Sequence, residues 1–547
     1  MPQENNAASY SIERLDHLGI ISGVIKDLKI VELIDARLGT YEGETLSAGE
    51  TVAGMIINGL GFSNKPLSLT PLFFKNCPLS LLFREGVEAN DFNRFKLGRV
   101  LDRCHRYGTE LLFAEISLDV CRREKVNTRF NSLDSTSFTL SGDYLAKTDD
   151  DTVKITLGYS KDHRPDLKQV MLEMMVSHDG GIPLIGKVLG GNASDNIVFK
   201  ERCEKLVEGF KEAEALRYVV ADCKVYTEDN SENLKSLLFV TRIPNNIKAV
   251  GETIDQALEA PENWETLEDD RKMQTFNVEH YGIKQRWHVL SSETSRQRAI
   301  KNVDKRVIKE DKTIEKQLFH LQAKRFSCAE DAIAAAECLA KKWKNHKLKK
   351  TQTVEHFSYE GRGRPKKDQQ PTKICHQVIV TSEQDADKIS RSKAKEGHYI
   401  IGGNTDPEEL SDQEVVNVYK EQHQVERGFR FLKDPLFFVS SLFVKTPQRI
   451  MALLMVMLLS LLVYGIAERR MRACLASQKE TLPNQIQQAT EAPTLRWVFQ
   501  LLLGIHCLKI STEKQSHQVI EGLTPLREKI LLLFGPTVAE IYQISYG

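Results

Sequence analysis

The 547-residue chain has no net charge: 75 Lys and Arg stand against 75 Asp and Glu. That balance excludes a uniformly basic protein that coats nucleic acid, though not local basic patches. No two of the ten cysteines form a C-x-x-C pair, so there is no signature of a zinc site or a redox dithiol. Scattered, reduced cytosolic thiols are the simple reading. The opening residues, MPQENNAASYSIERLD, hold no apolar stretch of the kind a secretory signal needs. No internal repeat is visible. Hydrophobic residues at 41% and charged residues at 27% exclude a mostly disordered, collagen-like or disulfide-stapled chain. Domains of about 100–200 residues make this length roughly three or four units.

Long apolar runs are also lacking, with one exception. Ile450 to Ala467 is 18 residues without a charge. A membrane span needs about 20. Arg449 precedes the run, and Glu468, Arg469 and Arg470 follow at once. A buried central helix is the favoured reading, and a single-pass anchor is the alternative.

The neutral total hides segregation. Glu252 to Asp270 holds eight acids and no base, whereas Lys341 to Lys367 holds ten Lys and Arg against two Glu. Two solvated segments account for this, as does a basic arm for a polyanion balanced by acid elsewhere.

Texture divides the chain into five parts. Residues 1–125 read helical, with Ser47 and Glu50 forming a capping box. From 126 to 235, short β-branched runs (FNSLDSTSFTL, VKITLGYS, QVMLEMMVS, IPLIGKVLG) precede a helix, NIVFKERCEKLVEGFKEAEA, and a buried strand, LRYVVADC. Strands, then helix, then strand predict a mixed α/β sheet flanked by helices. Residues 236–404 mix strands with long charged helices and contain a basic turn, GRGRPKK. Residues 405–475 carry the helix SDQEVVNVYKEQHQVERGFRFLK and the apolar helix. Residues 476–547 read as a helical tail.

Three acids draw attention. Asp134 interrupts a β-run, where propensity disfavours it. Asp222 closes LRYVVADC, at the strand end where open α/β sheets place ligands. Glu426 lies in YKEQHQVERGFRFLK with Tyr419, Gln422, Arg430 and Lys433. Steps of 3, 4, 4 and 3 put these five on one helical face. A carboxylate among cationic and hydrogen-bonding groups suits a site that handles a metal and a phosphate. Taken singly, each acid also fits a bland role: a turn or cap for the aspartates, a solvated face for the glutamate.

Tyr419-x2-Gln422-x3-Glu426-x6-Lys433 resembles the Y-x2-R-x3-E-x6-K signature of cut-and-paste bacterial transposases of the insertion-sequence-four superfamily. NSLDSTSF, GYSKDHRPDLKQV, VVADCKVYTEDN, QRWHVLSS and FRFLKDPLF agree in order, so the resemblance runs from about residue 12 to 475. It implies a ribonuclease-H-like core, interrupted by a β-containing insertion domain, with helical terminal regions. It implies a DDE triad of Asp134, Asp222 and Glu426 that holds Mg²⁺ or Mn²⁺, two ions in all. The substrate would be double-stranded DNA, both the element's terminal inverted repeats and the target, bound by a homodimer on paired ends. A bacterial cytoplasmic, nucleoid-associated protein without membrane contact follows, as does the family's hairpin intermediate. One departure is plain: Gln422 stands where the family has Arg, and Arg427 or Arg430 is the available substitute.

Further DNA contacts are expected from Tyr419, Arg430 and Lys433 on the helix. Arg362 and Arg364 in GRGRPKK resemble an AT-hook, with a plain loop as the alternative. Trp287 is the candidate for stacking on a base in the insertion, with a core tryptophan as its alternative. A catalytically inactive DNA-binding descendant is the second functional reading.

Overall fold

The computed structural model describes residues 9–63, 65–140, 144, 152–158, 164, 166–192, 218–267, 271–360, 370–437, 444–511 and 516–546. The chain divides into two compact units. The first comprises Met1–Thr241, Tyr281–Ile283 and Gly403–Gly547; the second comprises Arg242–His280 and Lys284–Gly402.

The first unit is organised around the apolar run. Pro447–Gln478 is one helix of 32 residues, and 89% of its most apolar window is buried inside the fold. It packs against helices Leu18–Asp27, Ala48–Leu60, Arg94–Tyr107 and Thr109–Glu124. Its flanking charges explain why it is held there. Arg449 forms two 2.8 Å bonds with Asp102, and Arg469 forms two 2.8 Å bonds with Asp179. Arg470 reaches both Glu124 at 2.6 Å and Asp27 at 2.8 Å. Bidentate pairs of this kind fix orientation as well as charge. Each buried Leu or Ile along the helix adds roughly 1.5–3 kcal/mol of burial free energy. The central-helix reading therefore accounts for both the apolar run and its ends.

The N-terminal helices follow their sequence signals. Ser47 accepts from Glu50 N at 3.0 Å, and Glu50 Oε2 accepts from Ser47 N at 2.8 Å, completing the capping box of Ala48–Leu60. The helical expectation fails at the chain's two ends. Ser9–Arg14 is a strand, β1, paired antiparallel with His506–Ser511, which also pairs with Ser516–Glu521. Tyr10 and Ile12 of β1 are exposed, at 69% and 68%. Their alternation was hidden because the apolar spacing of the first helix begins immediately after them.

The site-bearing sheet of the first unit uses β2 (Phe130–Leu140), β3 (Lys168–Ser177), β4 (Pro183–Gly190), β5 (Tyr218–Ala221) and β6 (Leu238–Ile243). Their order is β4-β3-β2-β5-β6. The β4-β3-β2 pairings are antiparallel, and β2-β5-β6 are parallel. This is the mixed sheet that the sequence predicts. The run VKITLGYS supplies only an isolated bridge, Thr156 to Gln169, among its described residues. The helix expected over NIVFKERCEKLVEGFKEAEA lies outside the described residues.

In the second unit, β7 (Glu265–Thr266), β8 (Arg271–His280), β9 (Ile283–Ser292) and β12 (His398–Gly403) stand in the order β12-β9-β8-β7. A separate hairpin pairs β10 (His346–Ser358) with β11 (Lys373–Gln384). Val378 and Val380 of that hairpin join Ile314, Leu318 and Leu321 of the 30-residue helix Glu293–Gln322 in a small core. The expectation for Trp287 is corrected here. Its ring is fully buried, and its Nε1 donates to Gln285 Oε1 at 3.0 Å. An enclosed ring offers no face to a nucleobase; this is the core tryptophan of the alternative reading. Gly361 to Lys367, with Arg362 and Arg364, lies outside the described residues.

Candidate active site

Asp134 sits in the middle of β2, and Asp222 follows the last residue of β5. The two strands are parallel, with Leu133 opposite Ala221. Asp222 keeps an extended backbone (φ −72°, ψ 164°), so Asp134 and Asp222 are the next step on neighbouring strands. Parallel strands lie about 4.8 Å apart, and residues at one step share a face. The two carboxylates are thus side by side on one surface of the sheet. Each is oriented in the same way. Ser135 N donates to Asp134 Oδ1 at 2.7 Å, and Cys223 N donates to Asp222 Oδ1 at 2.7 Å. Behind Asp222, the Thr241 hydroxyl donates to the Ala221 carbonyl at 3.0 Å, tying the end of β5 to β6.

Glu426 comes to the same surface on a helix, His423–Leu432. Val425, Gly428, Phe429 and Leu432 form its buried stripe, which packs on β2 and β3. Met174 is the cross-strand partner of Asp134 and shares its face. A Cβ on Gly428 would come within 2.8 Å of Met174 Cε, so only glycine allows so close an approach without displacing Met174. At the far end, the Lys433 ammonium lies 5.7 Å from the ring centre of Phe138, on the same face of β2 as Asp134. From Phe138 to Asp134 is about 13 Å of strand. From Lys433 back to Glu426 is about 10 Å of helix. The helix therefore runs along β2 with its Glu426 end toward Asp134. Glu426 is exposed, and among the described residues its carboxylate makes no hydrogen bond or ion pair.

The structure corrects one feature of the helical stripe. Tyr419 to Lys433 is not one helix but two, Asp412–Lys420 and His423–Leu432. Between them, Gln422 N bonds Tyr419 O, Gln424 N bonds Glu421 O, and Val425 N bonds Gln422 O, at 3.2, 3.0 and 3.2 Å. These are i→i−3 bonds, and their tighter winding breaks the 3.6-residue phase. Glu426 and Arg430 still share a face one turn apart. Tyr419 and Gln422 belong to the preceding helix and the turn, and Lys433 caps the end of the second helix.

Several groups that sequence reasoning missed tie the start of the first helix and the turn after it to the strands. Arg129 donates to the Glu409 carbonyl at 2.8 Å, and the Tyr218 hydroxyl donates to Glu409 Oε2 at 3.0 Å. His178, just past β3, shares a 2.8 Å hydrogen bond with the Ser132 hydroxyl through Nε2. Its Nδ1 lies 3.6 Å from Glu421 Oε2. Burial, with His423 nearby, pushes its pKa down to about 4. The imidazole is therefore neutral near pH 7, and the Glu421 approach is a polar contact rather than an ion pair. No local motif marks His178 in VSHDGG; the single available signal was a histidine directly after a strand.

The donor set fits hard divalent cations: three carboxylates, two fixed on the sheet and one on a docked helix. Among the described residues, no three His, Cys, Asp or Glu side chains are gathered closely enough to hold one ion. The arrangement is a pair of aspartates on adjacent strands with a glutamate on the helix docked beside them.

Comparison with known proteins follows the same segments. The family described as "Transposase DDE domain" matches residues 127–463, more than half of the chain. The family described as "Domain of unknown function (DUF4277)" matches residues 10–118. No curated protein matches. Among solved structures, the chain is similar to a cryo-EM structure of the piggyBac transposase synaptic complex with hairpin DNA. That similarity has 10% sequence identity and a TM-score of 0.37, over 90% of this chain and 82% of that one.

Proposed function

This chain belongs to the transposase DDE domain family, and from that membership we propose that it is the transposase of a bacterial insertion sequence of the insertion-sequence-four type. It binds the ends of its element and catalyses metal-dependent cleavage and strand transfer, with Asp134, Asp222 and Glu426 as the catalytic acids. The observation that carries this reading is the register of β2 and β5, with Leu133 opposite Ala221, which makes the two aspartates neighbours beneath the Glu426 helix. The mixed strand directions of the sheet support a ribonuclease-H-like core.

Asp134, Asp222 and Glu426 would hold Mg²⁺ or Mn²⁺. Two such ions activate water and stabilise the leaving oxygen of a phosphodiester. The protein's own part is positional. The Ser135 and Cys223 amides fix the aspartates, and the docked stripe of the second helix fixes Glu426. Lys433 and Arg430 supply phosphate contacts by charge, and Tyr419 adds a hydroxyl from the preceding helix. Arg362 and Arg364 remain proposed minor-groove contacts. Hydrolysis of one phosphodiester at the element end frees a 3′-hydroxyl. That hydroxyl then attacks a phosphodiester of the opposite strand or of target DNA, forming a new P–O bond as the P–O3′ bond breaks and the displaced 3′-oxygen leaves as a hydroxyl. The helical N-terminal region is proposed to bind DNA, and the C-terminal region to pair two protomers on two ends. A cytoplasmic, nucleoid-associated location is proposed with this function.

The rival reading is an inactive DNA-binding descendant. Linear DNA carrying the inverted repeats that flank the gene, incubated with purified protein and Mg²⁺, separates the two. We expect nicking at the element ends that stops in EDTA and in Glu426→Gln. DNA binding without any cleavage by the parent protein would establish the descendant instead.

A further inference from the structure

Beside the second helix, on the flank next to the Glu426 face, the first unit contains a cavity of about 700 Å³. Its walls are that helix, the long apolar helix, the β3–β4 turn and the segment around Thr494–Arg496. The floor is apolar, with Phe431, Leu461 and Tyr464. Five arginines and three acids line it.

The charges divide by depth of commitment. Arg469 is bound twice by Asp179, Arg472 by Glu468 at 2.7 Å, and Arg496 by Asp434 at 3.3 Å. Arg496 also lies 3.6 Å from the ring centre of Phe62. These three acids neutralise three arginines. Arg427 and Arg430 are left over: both are exposed, and neither makes an ion pair among the described residues. The cavity thus keeps an excess of two positive charges, carried by two guanidinium groups on one short helix. Gln424 and Thr494 add neutral hydrogen-bonding groups to the wall.

Two turn glycines keep the opposite wall thin. Gly180 and Gly181 have φ of +83° and +66°, so side chains there would be strained. A Cβ on Gly181 would stand 3.3 Å from Gln424 Oε1.

We propose that this cavity is a phosphate-binding subsite that seats the DNA backbone beyond the active site, with Arg427 and Arg430 as its ligating groups. The inference rests on the transposase reading and deepens it. Guanidinium groups match phosphate geometry with paired N–H donors, and two uncommitted ones fit two successive phosphodiesters. Arg427 directly follows Glu426 and Arg430 is one turn on, so both guanidinium groups start within one helical turn of the Glu426 carboxylate. The committed arginines set the local field without being free to bind. The site also gives a role to Arg427, which the family signature leaves unassigned.

The test is the salt dependence of duplex binding by the full chain, followed by fluorescence anisotropy with a short linear DNA. Each phosphate neutralised contributes about 0.9 to the slope of log K against log salt. Arg427→Gln/Arg430→Gln should lower the slope by about 1.8, and Arg427→Lys/Arg430→Lys should retain it. Matching urea midpoints for parent and variants verify that the fold is unchanged. A slope unaltered in the Gln variant, with the parent's own slope steep, overturns the subsite and leaves the transposase reading standing. A parent protein that binds duplex with no salt dependence overturns both. If tripolyphosphate raises the parent's melting temperature while the DNA slope is the same in all variants, the cavity takes a free anion and the DNA assignment fails.

Discussion

Asp222→Asn is expected to fold like the parent and to cleave element-end DNA slower by on the order of 10³-fold or more. The substitution is chosen because the structure separates two duties of this carboxylate. Its Oδ1 accepts the Cys223 amide at 2.7 Å and so shapes the turn that ends β5. An asparagine oxygen can accept the same bond, so the turn should survive. What asparagine cannot supply is negative charge beside Asp134. Two like charges on adjacent strands are costly unless a cation lies between them. Neutralising one therefore relieves repulsion in the free protein while removing the reason for a cation to bind. The combination predicted is unusual for a damaging change: stability equal to or slightly above the parent, with cleavage lost. Urea unfolding and the nicking assay, run side by side, read both parts. A variant with parental cleavage would remove Asp222 from the site.

Phe429→Ala has the second largest expected effect, and it acts through packing. Phe429 is 6% exposed in the stripe that docks the Glu426 helix on β2 and β3. Truncation of a buried Phe costs about 3–5 kcal/mol. The consequence is greater here because the helix has only ten residues. Isolated helices shorter than about 12–15 residues are marginal in water, so this one depends on its docking. Loosening it should release Glu426 from the strand pair. We expect a lower urea midpoint and loss of cleavage already under conditions where the chain remains folded. Phe429→Leu, which keeps most of the volume, should restore much of both. An unchanged midpoint in Phe429→Ala would mean that the stripe does not hold the helix.

These two residues show what was and was not legible in the sequence. The strands around Asp134 and Asp222 were readable from β-branched runs, and the acids stood out because propensity disfavours them there. Their adjacency was not readable, because register between strands 88 positions apart in sequence depends on pairing that no local pattern records. The helix of Glu426 was readable, but its break at Glu421–Gln422 was not. Val415, Val416, Val418, Val425 and Phe429 are all buried, and their apolar spacing passes smoothly over three i→i−3 bonds.

The apolar helix was legible as apolar and ambiguous in role. Asp27, Asp102, Glu124 and Asp179, far away in sequence, reveal that its flanking arginines are anchors within a folded core. Trp287 illustrates the opposite case, a residue prominent by type whose burial assigns it to packing. The cavity beside Arg427 was invisible for the same reason as the strand register. Its walls come from four separate segments, and its charge excess appears only after three ion pairs have been assigned.

Asp134, Asp222 and Glu426 are proposed to share bound divalent metal. Iron-directed chain cleavage tests this without DNA or turnover. Fe²⁺ replaces Mg²⁺ in the full protein, and ascorbate with peroxide then generates radicals that cut the backbone near the metal. We predict cuts clustered around residues 134, 222 and 426, suppressed by excess Mg²⁺ and absent in Asp222→Asn. Cuts at other positions, or the same pattern in Asp222→Asn, would mean that the three acids do not share a metal site.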